Sequence, residues 1–83
     1  MTMKIKMLYF GQARDAAGKG EESFTVPDRS SVDFLLQRSS ATHPKIAKMK
    51  EIMQVAVNED ISDAGRVLRD GDVVALLPPV AGG

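Results

Sequence analysis

The stretch "DGDVVALLPP", Asp70 to Pro79, decides how this chain folds. Asp70-Gly71 is a tight-turn pair, and it launches five consecutive apolar residues, Val73 to Leu77, with no polar side chain on either face. Pro78 and Pro79 then end the strand, because neither has an N–H to give to a ladder. A strand that is apolar on both faces belongs in the interior of a sheet, beside another buried strand.

The best companion lies at the other end of the chain. In "MKIKMLYF", Met3, Ile5, Met7 and Tyr9 alternate with Lys4, Lys6, Leu8 and Phe10, the period of a strand with one covered face. "GQARDAAG" follows, a helical turn or two closed by Gly18, and "EESFTV" gives a second strand stopped at Pro27. Ser30 or Ser31 caps an amphipathic helix carrying Val32, Leu35 and Leu36, with Ser30 and Asp33 spaced as a weak capping box.

After His43-Pro44, Ile46, Met49 and Met53 stand at helical spacing and predict a second short helix or irregular turn. "VAVN", Val55 to Asn58, reads as a strand turning through Asn58-Glu59-Asp60, with Ile61 starting a short return strand. "DAGRVLRDGD" is loop-like. The elements predict an α+β fold, one sheet against one main helix, with the first strand beside and parallel to the last. Val26, Val32, Leu35, Val55, Val57 and Leu68 are the expected core.

Composition narrows the function. The 83 residues make one small domain, burying about 60–65% of the surface of the unfolded chain. Lysine plus arginine and aspartate plus glutamate number 11 each, so no overall field draws the chain to nucleic acid or to an anionic membrane. The absence of cysteine excludes disulfides, thiolate metal sites and a cysteine nucleophile, and fits a reducing cytoplasm. "MLYF" is far too short for a signal-peptide core or a membrane span.

No nucleophile and base pair up among these residues. His43 is the one histidine and reads as a loop residue without a role. Asp63, Asp70 and Asp72 fit turn chemistry better than a cation site, and Lys45, Lys48 and Lys50 fit a solvated helix face. "GQARDAAG" has neither the dinucleotide-binding glycine spacing nor a P-loop lysine.

Two features remain. Leu8 and Phe10 share a strand face with two lysines, and in a sheet covered by one helix the uncovered face exposes them beside Val74 or Leu76, as an apolar partner patch. The other is the end of the chain, Pro78 to Gly83, which reaches up to about 20 Å when extended. Its prolines keep the departing chain extended, while Gly82 and Gly83 can thread a passage too narrow for a Cβ.

"MKIKMLYFGQARDAAG", "VAVNED" and above all "LRDGDVVALLPPVAGG" together resemble the small subunit of molybdopterin synthase, the family of sulfur carriers related in fold to ubiquitin. Asp15 stands where that family more often has glutamate. The resemblance implies a β-grasp domain over residues 1–77, a mixed sheet packed against a main helix, with a flexible tail over 78–83. It makes Gly83 the working residue: an activating enzyme of the ubiquitin-activating type adenylates its carboxylate with ATP and magnesium, and a donated sulfur displaces AMP to leave a thiocarboxylate.

The tail then enters the large synthase subunit, where the thiocarboxylate meets the cyclic pterin precursor of the molybdenum cofactor. On this reading the chain is a sulfur-donating subunit of a two-plus-two heterotetramer, binding no cofactor or metal itself. Its partner-binding residues are Leu8, Phe10, Leu76, Pro78, Pro79, Val80 and Ala81, with Gly82 and Gly83 at the chemistry. A thiamine-pathway sulfur carrier and a ubiquitin-like protein modifier share the glycine pair and are the competing readings; a plain interaction domain needs no activation.

Overall fold

Five strands share one sheet in the order β2-β1-β5-β3-β4. In the computed structural model, which describes residues 1–49 and 51–78, these are β1 (Thr2–Tyr9), β2 (Glu21–Pro27), β3 (Gln54–Val57), β4 (Asp60–Ser62) and β5 (Val73–Leu77). The helices are α1 (Gln12–Ala17), α2 (Val32–Thr42) and α3 (Pro44–Ala47). β5 is central, as its two apolar faces require, and it runs parallel to β1 and antiparallel to β3. Lys50 and residues 79–83 lie outside the described residues, and with them all of the expected tail except Pro78. Among the described residues no helix is long and apolar enough to cross a membrane.

The alternation of β1 sets the layers. Met3, Ile5, Met7 and Tyr9 are buried under the helices, facing Val32, Leu35, Leu36 and Ile46. Phe24 and Val26 of β2, Val55 and Val57 of β3, and Val74 and Leu76 of β5 complete the same layer, with Leu68 entering from the long loop. All six residues expected in the core are buried.

Local chemistry accounts for the helix ends. Gly18 closes α1 in a left-handed conformation, its N–H donating to the Arg14 carbonyl at 2.9 Å. Ser31 caps α2, accepting the Phe34 N–H at 3.2 Å. The capping box suggested by Ser30 and Asp33 does not form. Ser30 lies one residue too early and bonds instead to the Pro27 carbonyl at 2.6 Å, and Asp33 accepts from Gln37 at 2.9 Å.

α3 stops after four residues, so the spacing of Ile46, Met49 and Met53 is not that of one continuous helix. Ile46 enters the core from α3, Met49 packs against its edge, and Met53 reaches it from the position just before β3. β3 and β4 join through Asn58 and Glu59, both at positive φ as a two-residue hairpin turn requires. Asn58 also fastens this hairpin to β5, accepting the Val73 N–H at 3.0 Å and donating to Asp72 at 2.9 Å.

His43 is not a plain loop residue. It forms the junction of α2 and α3, and its Nε2–H donates to both Glu22 carboxylate oxygens, at 2.7 and 3.0 Å. The Tyr9 hydroxyl donates to Glu22 Oε1 at 2.9 Å and lies 2.8 Å from Ser39 Oγ, which completes the cluster. Burial pushes the Tyr9 phenol well above its ordinary range, with the Glu22 charge adding to the effect. Burial alone would raise the Glu22 carboxyl too, but hydrogen bonds from Tyr9 and His43 and the charges of His43 and Lys19 outweigh it and hold the carboxyl below its usual 4.5.

Because the Glu22 carboxyl is held down in the folded state, its contribution to stability is complete above pH 4.5 and fades as the pH falls through the lower folded value. Glu22→Gln therefore lowers the urea midpoint at pH 7, and the gap to wild type narrows progressively below pH 4.5. Paired denaturation curves between pH 3 and pH 7 measure it, on a scale of about 1.5–3 kcal/mol for a charge-assisted hydrogen bond.

Candidate functional site

The face of the sheet away from the helices is built from the odd positions of β5 and the even positions of β1. Parallel pairing sets Leu8 opposite Ala75, antiparallel pairing sets Ala75 opposite Ala56, and Ala56 faces Ile61. One row therefore crosses four strands as Leu8, Ala75, Ala56 and Ile61. Two methyl groups form its floor, and two larger side chains stand at its sides. Phe10, Val73 and Leu77 extend it, and the result is an open apolar depression of about 550 Å³ bordered by Asn58 and Glu59.

Phe10 is 44% exposed and Ile61 66%, so large apolar side chains stand in water on this face. Such a patch, rimmed by polar residues, has the character of a partner surface. Leu8 and Phe10 thus sit where the sequence placed them. Leu76 does not. Its partners are Tyr9 and Val55, both buried, and it is fully buried on the helix side together with Val74. The outward residues of β5 are Val73, Ala75 and Leu77.

Sequence reading missed Ala56, Ile61, Val73, Ala75 and Leu77. A strand apolar throughout carries no alternation to mark its outer face, and only its register against β1 settles the parity. The signal available was Tyr9: once β1 and β5 pair in parallel, the residue opposite an inward tyrosine also points inward.

The ends of β1 and β5 meet at one end of this site, where the chain leaves the sheet. The Phe10 N–H donates to the Leu76 carbonyl at 3.2 Å, so the end of β1 and the end of β5 are tied side by side. Pro78 follows, exposed, immediately beside the apolar face. The remaining expected site residues, Pro79, Val80, Ala81, Gly82 and Gly83, lie outside the described residues.

No catalytic constellation accompanies this surface among the described residues. The Tyr9, Glu22, Ser39 and His43 cluster spends its hydrogen bonds on itself, between sheet and helices. The turn acids are occupied as well: Asp70 accepts the Lys4 N–H at 2.7 Å, Asp72 the Arg69 N–H at 2.8 Å, and Asp63 the Gly65 N–H at 3.1 Å. No group of three or more acids or histidines among the described residues is arranged to hold a metal ion.

The sequence profile of the ThiS family matches residues 7–83, which takes in the apolar face, the exit and the glycine pair. The chain belongs to the ThiS family. This ThiS-family chain is 35% identical over 83 residues to the molybdopterin synthase sulfur carrier subunit of Chlamydomonas reinhardtii, covering 98% of this chain and 100% of the relative. Among solved structures it is similar to a Pyrococcus furiosus protein named as molybdopterin converting factor subunit 1. That pair is 31% identical with a TM-score of 0.82, over 94% of this chain and 99% of the other. It is also similar to a chain in the complex of subunits 1 and 2 of the Helicobacter pylori molybdopterin-converting factor, at 27% identity and a TM-score of 0.67, over 98% and 100% of the two chains. The β-grasp architecture expected from the sequence is the fold of these neighbours.

The two faces of the sheet respond differently to truncation. Leu76→Ala opens a void in the core and lowers the unfolding free energy by about 2–5 kcal/mol. Phe10→Ala, on the exposed face, shifts it by less than about 1 kcal/mol. Urea denaturation of the two variants side by side distinguishes them.

Proposed function

We propose that the chain is the sulfur carrier subunit of a molybdopterin synthase, carrying sulfur as a thiocarboxylate on Gly83 for delivery to the cyclic pterin precursor. The observation that carries this reading is the 35% identity with a molybdopterin synthase sulfur carrier subunit over 98% of this chain and 100% of the relative. The geometry supports it in a specific way: the strand that leads to the glycine pair ends at the rim of an exposed apolar face, so one partner can cover the face and receive the tail together.

The chemistry needs little from the folded domain. The Gly83 carboxylate attacks the α-phosphorus of ATP on an activating partner, pyrophosphate leaves, and the resulting acyl adenylate is a good electrophile. A sulfur nucleophile adds to its carbonyl carbon and expels AMP, leaving the thiocarboxylate. Magnesium and ATP belong to that partner. The sulfur then acts as nucleophile toward the pterin inside a second partner, the synthase large subunit; the complex of subunits 1 and 2 of the Helicobacter pylori factor supports a pairing of this kind.

In this scheme Leu8, Phe10, Ile61 and Leu77 bind the partner, and Pro78 starts the tail. Gly82 and Gly83 keep the reacting carbonyl free of side chains. Orientation is the carrier's contribution to rate, and a displacement of about 1 Å at the reacting carbon costs on the order of a hundredfold.

Deletion of Gly83, or Gly83→Ala, keeps the wild-type melting temperature, because a terminal residue has little packing to lose. The same variants lose most thiocarboxylate formation or sulfur transfer. Intact mass spectrometry, reading the exchange of one oxygen for sulfur after incubation with the activating enzyme, ATP and a sulfur donor, checks it. Phe10→Ala separately weakens the complex with the large subunit about tenfold to a hundredfold, as loss of a buried phenylalanine at an interface implies. Calorimetric titration measures that change.

A further inference from the structure

β1 and β5 run parallel and end together, so the corner that takes β1 into α1 lies beside the residue that takes β5 into the tail. That corner is Gly11, at φ 53° and ψ −126°, a conformation L side chains rarely adopt. The strain of this backbone is one reason for glycine here. A second reason is independent of it. A Cβ built on Gly11 would stand 3.2 Å from Pro78 Cγ, 3.5 Å from Pro78 Cβ and 3.6 Å from Pro78 Cδ. The pyrrolidine ring therefore lies directly on the bare α-carbon of Gly11.

We infer that Gly11 is a positioning residue for the tail: its missing side chain forms the seat on which Pro78 rests, and this seat sets the direction in which the chain leaves the sheet. The inference rests on the sulfur-carrier reading for its functional consequence. Three restraints meet at the seat. The Phe10 N–H holds the Leu76 carbonyl at 3.2 Å, which fixes the backbone just before the exit. The Phe10 carbonyl accepts the Ala13 N–H at 3.0 Å and the Gly11 carbonyl accepts the Asp15 N–H at 3.3 Å, which anchors the corner to α1. The proline ring locks its own φ near −65°, so once the ring is seated the outgoing chain has lost one of its two soft torsions.

A methyl on Gly11 presses on Pro78 Cγ closer than ordinary contact, and the ring must give by a few tenths of an ångström. The five residues that follow Pro78 reach up to about 18 Å when extended, and the angle at the seat sets the direction from which they start toward a partner. Partner binding, which rests on the sheet face, is affected much less than the placement of the reacting carbon. The expected signature is a fall in turnover with little change in half-saturation.

The test uses the full chain as wild type, Gly11→Ala, Pro78→Ala and the double variant. In wild type, nuclear Overhauser cross-peaks between the Gly11 α-protons and the Pro78 ring protons are expected, and their absence overturns the seat without reference to any activity. With the activating enzyme, magnesium-ATP and carrier-dependent pyrophosphate exchange as readout, Gly11→Ala retains its circular dichroism spectrum and loses about tenfold or more in turnover at saturating carrier. Its half-saturating concentration stays within about threefold of wild type. The double variant has no Cγ for the methyl to strike, and recovers to the turnover of Pro78→Ala alone. The backbone strain at Gly11 remains in it, so recovery separates positioning from stability. Wild-type turnover in Gly11→Ala, or a double variant slower than Pro78→Ala by the factor that separates Gly11→Ala from wild type, overturns the inference. A wild-type chain that shows the cross-peaks yet supports no exchange removes the sulfur-carrier reading, and with it the functional role of a seat that is physically present.

Discussion

The parallel pairing of β1 with β5 is the constraint on which the rest of this structure depends. It joins the first strand of the chain to the last at the centre of the sheet, so neither forms an exposed edge. The pairing sets Tyr9 against Leu76 on the covered side and Leu8 against Ala75 on the open side, and every other strand inherits its parity from that choice. A slip of one residue would bury Ala75 in place of Leu76 and turn the core residues of β5 into water. The same pairing brings the ends of both strands to one place, where an apolar surface, a tight corner and the departing chain meet.

The open face shows how a surface can be apolar without destabilising the sheet that carries it. Its middle is made of Ala56 and Ala75, which need little cover, and Ala56 is already shielded by its neighbours. The larger side chains, Leu8, Phe10 and Ile61, stand to either side of that floor. Exposing them costs the isolated domain part of the hydrophobic gain that burial would give, and a covering partner recovers it. Stability comes from the other face, from the packed layer under α2 and from the polar cluster around Glu22.

Much of the fold was legible in the sequence because its main signals are local. The alternation of Met3 to Phe10, the Asp70-Gly71 turn, the serine before Val32 and the uninterrupted Val73 to Leu77 each report on a few adjacent residues. What stayed hidden is non-local. The hydrogen-bonded pairs Tyr9–Glu22, Glu22–His43 and Tyr9–Ser39 are separated by 13, 21 and 30 residues along the chain and meet only when β1, β2 and α2 are packed. Leu76 was assigned to the wrong face because a strand apolar on both sides contains no information about which residues point outward. Gly11 looked like the start of a helix, and its contact with Pro78 depends on two segments at opposite ends of the chain.

On the proposed reading the chemistry lies on a terminal glycine, which separates the demands of folding from those of reaction. A group housed in a core must be desolvated, hydrogen-bonded and held against strain, as the Glu22 cluster illustrates, and any change to it is felt by the whole fold. A carboxylate at the end of a tail is free of those demands and can be modified without disturbing a single packed side chain. The cost is orientation, because a reacting group outside a packed core has to be aligned for the reaction at an entropic expense. Among the described residues, the domain can act on that orientation last at Pro78, which follows the end of β5. On the sulfur-carrier reading, the tie between Phe10 and Leu76, the bare α-carbon of Gly11 and the locked proline ring are the last described contacts through which the rigidity of the sheet can pass toward the carboxylate.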